Sequence, residues 1–159
     1  MFRIKLLILL LTSCILLSCN SSNNHNKYSL EYIGGGYDGL VLKKILNASL
    51  NNFEFYDGNS RKSIKASISH DVELLITNID NTSDRESVNT KLIISIFDKE
   101  SNCNILEFNR NISQFYIYAS NEKFLSNDKA LEEIKYKNTE ELVKRFINSL
   151  NKVSIDCVK

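Results

Sequence analysis

Cys19 is a thiol placed for modification. It closes the run Leu16-Leu17-Ser18-Cys19, at the end of an apolar segment that opens after Arg3 and Lys5. A charged start, a short apolar stretch and a small residue before a cysteine make a bacterial lipoprotein signal. The chain is cut before the cysteine, and the new N-terminal residue carries lipid. Leu6 to Leu17 is apolar apart from Thr12, Ser13 and Cys14. That is too short for a membrane-spanning helix, which needs about 20 residues, and it suits a secretory signal. Leu11-Thr12-Ser13-Cys14 offers a second cleavage sequence. Cys19 is the better reading, because a cut at Cys14 leaves a thin apolar region and puts Ile15-Leu16-Leu17 on the mature N-terminus. Asn20 follows Cys19. An aspartate there favours retention in the inner membrane, so its absence points to the outer one. More than one acyl chain anchors stably where a single chain holds marginally.

Other reactive side chains are sparse. The two histidines are His25, in a polar stretch, and His70, read as the start of a strand. Neither has a companion at ligand spacing, so no metal or cofactor is expected. After processing at Cys19 the cysteines are Cys103 and Cys157. In an oxidising compartment they can bridge. The loop so closed spans about 55 residues, worth ~4 kcal/mol on a chain-entropy model. In a cell without oxidising machinery they stay free. Gly34-Gly35-Gly36 lacks the following Gly-Lys-Ser/Thr of a phosphate loop and reads as a turn into a helix. Glu132-Glu133 and Glu140-Glu141 read as a solvated helix face. No nucleophile elbow or carboxylate pair stands out, and no enzyme is expected.

The elements that would position these groups follow from periodicity. Residues 1–18 form the signal, residues 19–27 a lipidated flexible tether, and residues 28–159 one domain. The chain carries 20 Lys and Arg against 19 Asp and Glu. Losing Arg3 and Lys5 with the signal leaves a formal −1, which gives no bulk field for nucleic acid. Tyr28 to Ile33 reads as a strand. Asp38 is placed to cap a helix from Gly39 to Asn51, with Leu42, Ile45, Leu46, Ser49 and Leu50 on one face. Phe53 to Tyr56 reads as extended and Asp57-Gly58-Asn59 as a turn. Three half-buried strands follow. They are His70 to Ile79, with Val72, Leu74 and Ile76 on one face, then Ser87 to Phe97, with Leu92, Ile94 and Ile96, then Asn104 to Tyr118. In the last, Leu106, Phe108, Ile112, Tyr116 and Tyr118 share a face. Asn81 to Asp84 and Asp98 to Asn102 are the connecting turns. Asp128 to about Asn151 carries Leu131, Ile134, Leu142, Phe146 and Leu150 along one stripe. Asn138 and Thr139 interrupt it, and Asn138 with Glu141 has capping-box spacing. One helix with a polar step is the preferred reading over two. The order β-α-β-β-β-α predicts an α+β two-layer sandwich. Two helices pack on one face of a mostly antiparallel four-stranded sheet, whose other face stays polar.

Three stretches carry a resemblance to a known family. One runs from Asp38 to Leu50. Another is Asp84-Arg85-Glu86 leading into Leu92 to Ile96. The last is Asn109-Arg110-Asn111-Ile112 to Tyr118, with the helix ending in Glu141 to Leu150. Together with the lipoprotein signal, this arrangement resembles the LPS-assembly lipoprotein LptE over about Tyr28 to Leu150. The resemblance implies a non-enzymatic lipoprotein of the outer membrane. It would plug and help assemble an LptD-type β-barrel, and bind lipopolysaccharide on its way to the outer leaflet. Basic groups suited to lipid A phosphates would then be Arg85 and Lys91 near a strand turn, with Lys135 and Lys137 on the last helix. Two other readings suit the polar tether equally. One is a surface-exposed lipoprotein binding a host or matrix partner; the other is a periplasmic accessory to envelope assembly.

Overall fold

The computed structural model describes residues 26–76, 83–117 and 124–150. They form the elements β1 (Ser29–Gly34), α1 (Gly36–Asn52), β2 (Lys62–Ile76), β3 (Ser83–Asp98), β4 (Cys103–Ile117) and α2 (Phe124–Leu150). The strands lie side by side in chain order in one sheet. β1 pairs parallel with β2, from Ser29 beside Ser63 to Gly34 beside Ser67. The β2–β3 and β3–β4 pairs are antiparallel. This is the expected α+β fold: a mostly antiparallel four-stranded sheet with two helices.

The chain leaves β1 through Gly35, whose φ of 114° is a conformation that side chains rarely adopt. A Cβ there would stand 2.6 Å from the Ile68 carbonyl oxygen. α1 starts at once, so Gly35 occupies the N-cap position without a side-chain cap. Asp38 is therefore not the cap. It lies in the first turn, where its charge complements the helix dipole. Gly35→Ala is expected to cost about 1–3 kcal/mol through backbone strain and this close approach. Urea unfolding of the purified domain checks it, and a variant as stable as the parent would remove Gly35 from this role.

α1 buries Gly39, Leu42, Ile45, Leu46 and Leu50, the apolar face that its period predicts. They share one core with Ile64, Ala66 and Ile68 of β2, the Leu92-Ile94-Ile96 face of β3, and Ile105 and Phe108 of β4; α1 lies over β1 and β2, and α2 over β3 and β4. The C-terminal half of α2 closes the core with Leu142, Val143, Phe146, Ile147 and Leu150. The Phe108 and Phe146 rings meet edge to face at 5.6 Å.

Besides the start of α1, other boundaries differ from expectation, and Phe53 and Glu54, expected to be extended, form a turn that ends α1. β2 begins at Lys62 rather than His70, because Ile64, Ala66 and Ile68 already alternate with polar residues and are buried. Ser83, expected in a turn, is already in β3. α2 begins at Phe124, ahead of Asp128, and runs unbroken through Asn138 and Thr139. Those two are not an exposed polar step: both are buried, Asn138 against the sheet and Thr139 with its hydroxyl donating to the Lys135 carbonyl of its own helix.

Candidate functional site

The three long strands outrun the helices. Toward the β2–β3 end of the sheet, apolar side chains lie uncovered on both faces. Even-numbered residues of β2 and β3 point toward the helices, as Ile64, Ala66, Val88 and Leu92 show by their burial. On that inner face Val72 and Leu74 were expected to be half-buried, but Leu74 is 64% exposed. Next to it Glu86 accepts a hydrogen bond from the Tyr116 hydroxyl.

On the outer face, Leu75, Arg85 and Ile117 form one rung across three strands. Glu73, Ser87 and Phe115 form the next. The Arg85 guanidinium carbon lies 5.4 Å from the Phe115 ring centroid. Phe115 is 61% and Ile117 73% exposed. A permanent cation held over an aromatic ring and flanked by bare aliphatic side chains is suited to an anionic amphiphile. The guanidinium can grip a phosphate in bidentate fashion, and the neighbours can accept hydrocarbon.

The other expected basic residues do not join this tip. Lys91 lies on the same outer face, in the rung of Ser69 and Asn111. It is six residues from Arg85, about 20 Å along the strand. Lys135 and Lys137 belong to α2. Each is ion-paired within the helix: Lys135 with Glu132 at 2.9 Å and Lys137 with Glu133 at 2.6 Å. Cys14, Cys19 and Cys157 lie outside the described residues. Cys103 is disulfide-bonded.

Sequence reasoning missed a second feature. A cleft of about 220 Å³ opens between the start of α1, His70 of β2 and the middle of α2. Tyr37, Asp38, His70, Glu132, Lys135 and Tyr136 line it. Behind it His70 Nδ1 lies 2.8 Å from Thr90 Oγ1. The Asn138 amide donates to the same hydroxyl oxygen at 3.0 Å and to the Val88 carbonyl at 3.4 Å. Burial, above all, pushes the His70 pKa below its ordinary value. Lys135 acts in the same direction, and Asp38, Glu132 and Asp71 oppose it. No local spacing announces this cluster, because its members come from three elements.

The fold and its long strands define a class: the β-α-β-β-β-α sandwich that several bacterial lipoproteins share. Rare lipoprotein B from Shewanella oneidensis superposes with a TM-score of 0.58 at 10% identity, over 80% of this chain and 98% of that one. A minor lipoprotein from Acinetobacter baumannii gives 0.59 at 14%, over 81% and 94%. An uncharacterized lipoprotein B from Nitrosomonas europaea gives 0.58 at 10%, over 80% and 85%. No protein-family model and no curated protein matches the chain.

Proposed function

We propose that this chain is an LptE-like lipoprotein of the outer membrane, anchored through lipid on Cys19. It acts without catalysis. It sits in an LptD-type β-barrel, assists that barrel's assembly, and binds lipopolysaccharide during transport to the outer leaflet. The observation that carries this reading is the tip: Arg85 over Phe115, with Leu75 and Ile117 exposed in the same rung. Lipopolysaccharide joins phosphates to acyl chains, and the tip pairs a cation with bare apolar surface. The fold shared with lipoproteins is consistent with the same reading.

Affinity purification of the tagged full-length lipoprotein from membranes in mild detergent tests it. Mass spectrometry is expected to find a large outer-membrane β-barrel in about equal amount. Recovery of the lipoprotein alone, from cells whose surface protease removes it, would move the function to an exposed binding lipoprotein.

A further inference from the structure

α2 is held unevenly. From Asn138 onward it buries Asn138, Thr139, Leu142, Val143, Phe146, Ile147 and Leu150. Before Asn138, Asn127 is the one buried residue among those whose side chains are described. The polar contact of Asn138 with the sheet lies at the boundary between the two halves. His70 and Thr90 are direct cross-strand neighbours there.

The hydrogen-bond directions are constrained. Asn138 Nδ2 sits between two acceptors, the Val88 carbonyl and Thr90 Oγ1. Turning the amide over would set its oxygen against the Val88 carbonyl. Thr90 Oγ1 therefore accepts from Asn138, and its single proton can be donated to His70 Nδ1 when the ring is neutral. In that arrangement Nδ1 is the acceptor and the neutral ring carries its own proton on Nε2. Asn138 Oδ1 is buried with no hydrogen-bond partner.

We propose that His70, Thr90 and Asn138 form a proton-sensitive latch, closed when His70 is neutral, that holds the N-terminal half of α2 against the sheet. Protonating Nδ1 sets its N–H against the Thr90 hydroxyl. The oxygen must then accept from two N–H groups, and its own proton must leave the His70 direction inside a buried site. The cleft supplies the route by which the proton reaches the ring. The charges facing His70 are Asp38 from α1, Glu132 and Lys135 from α2, and Asp71 beside it on β2. The three carboxylates favour the imidazolium; Lys135 and burial oppose it. On β3 the inner-face carboxylate Glu86 lies two pleats away, bonded to Tyr116. Opening uncovers Val88 and Thr90, both now fully buried.

The sign follows from linkage. The folded chain binds fewer protons at His70 than the unfolded chain, because the ring's pKa is lowered from 6.5. This contribution is complete above that value and is lost as pH falls below it.

Hydrogen exchange of the full-length lipoprotein in detergent, corrected for intrinsic rates, tests the latch at about pH 7.5 and about pH 5. Peptides within residues 124–137 are expected to lose at least ~tenfold protection at the lower pH, while residues 139–150 keep theirs. His70→Asn keeps an acceptor near the Nδ1 position and does not titrate, so its protection should be the same at both values. An equal loss in His70→Asn, or no loss in the parent, overturns the proposal. Should His70→Asn fail to fold, the tautomer decides: ¹⁵N-histidine spectra of the parent at about pH 7.5 should show His70 protonated on Nε2. A proton on Nδ1 there overturns it.

Discussion

Arg85→Glu is expected to weaken lipopolysaccharide binding about tenfold or more, whereas Lys91→Glu should change it little. The two were expected from sequence to act together. The register separates them by about 20 Å of strand; Arg85 sits with Phe115 and Ile117, at 61% and 73% exposure, whereas Lys91 has only Ile93, at 42%, one pleat away. A charge-assisted contact to phosphate is worth roughly 1.5–3 kcal/mol, and ~1.4 kcal/mol is tenfold in affinity. Reversing the charge removes that contact and adds repulsion. Because Arg85 is exposed, the melting temperature of Arg85→Glu should stay with the parent's. Phe115→Ala should give a smaller loss, since it removes the ring under the guanidinium but leaves the charge. Titration of the purified protein with labelled lipopolysaccharide at fixed ionic strength measures all three. Parent-like affinity in Arg85→Glu would take the tip off the binding surface, whatever barrel the protein sits in.

The second large effect is on stability. Phe146 is fully buried and meets Phe108 edge to face at 5.6 Å. Phe146→Ala removes most of a ring from the place where α2, β3 and β4 converge. The expected cost is about 3–5 kcal/mol, from lost transfer energy and the cavity left behind. For a domain of this size that lowers the melting temperature by ~10 °C or more. Leu125 provides the contrast: it is 81% exposed on the same helix, and Leu125→Ala should melt with the parent. Circular dichroism on heating separates the two, and a Phe146→Ala domain that melts near the parent would mean the core closes without α2.

Much of this core was legible because its apolar residues keep time with their elements. Leu42, Ile45, Leu46 and Leu50 recur at helical spacing, and Leu92, Ile94 and Ile96 alternate strictly; both sets are buried as read. The start of β2 was not legible. Ile64, Ala66 and Ile68 do alternate with polar residues, but Ala66 is a weak apolar signal among Ser63, Ser67 and Ser69, and the strand is completed by its pairing with β1 and β3. Val72 and Leu74 misled in the opposite sense. Their alternation is real, but no helix covers them. Burial depends on how far α1 and α2 reach, which period alone does not encode. Asn138 looked like an interruption because a polar residue in a helix reads as solvent-facing. Its partners, Val88 and Thr90, are about 50 residues away in sequence. The pairing of Lys135 and Lys137 was open to inspection: Glu132 and Glu133 precede them by three and four residues, the spacing of helical ion pairs. Arg85 has no such local acid on a helix. The sheet delivers Phe115 to it from across β4.

The parallel pairing of β1 with β2 sets the N-terminal end of the domain apart from the tip. Ser29 lies beside Ser63, while the Arg85 rung is at Leu75. About a dozen residues of β2 separate them, roughly 40 Å of strand. The chain from Cys19 to Ser29 can extend at most ~35 Å. Under the proposed function, a lipid on Cys19 would be tied to one end of a mast whose apolar head is at the other. Upright, the head is carried tens of ångströms clear of the leaflet that holds the lipid. To bring it back to that leaflet, the domain must lie down or turn over on a nearly extended tether. The direction of a single strand thus decides which end of the domain such an anchor would hold.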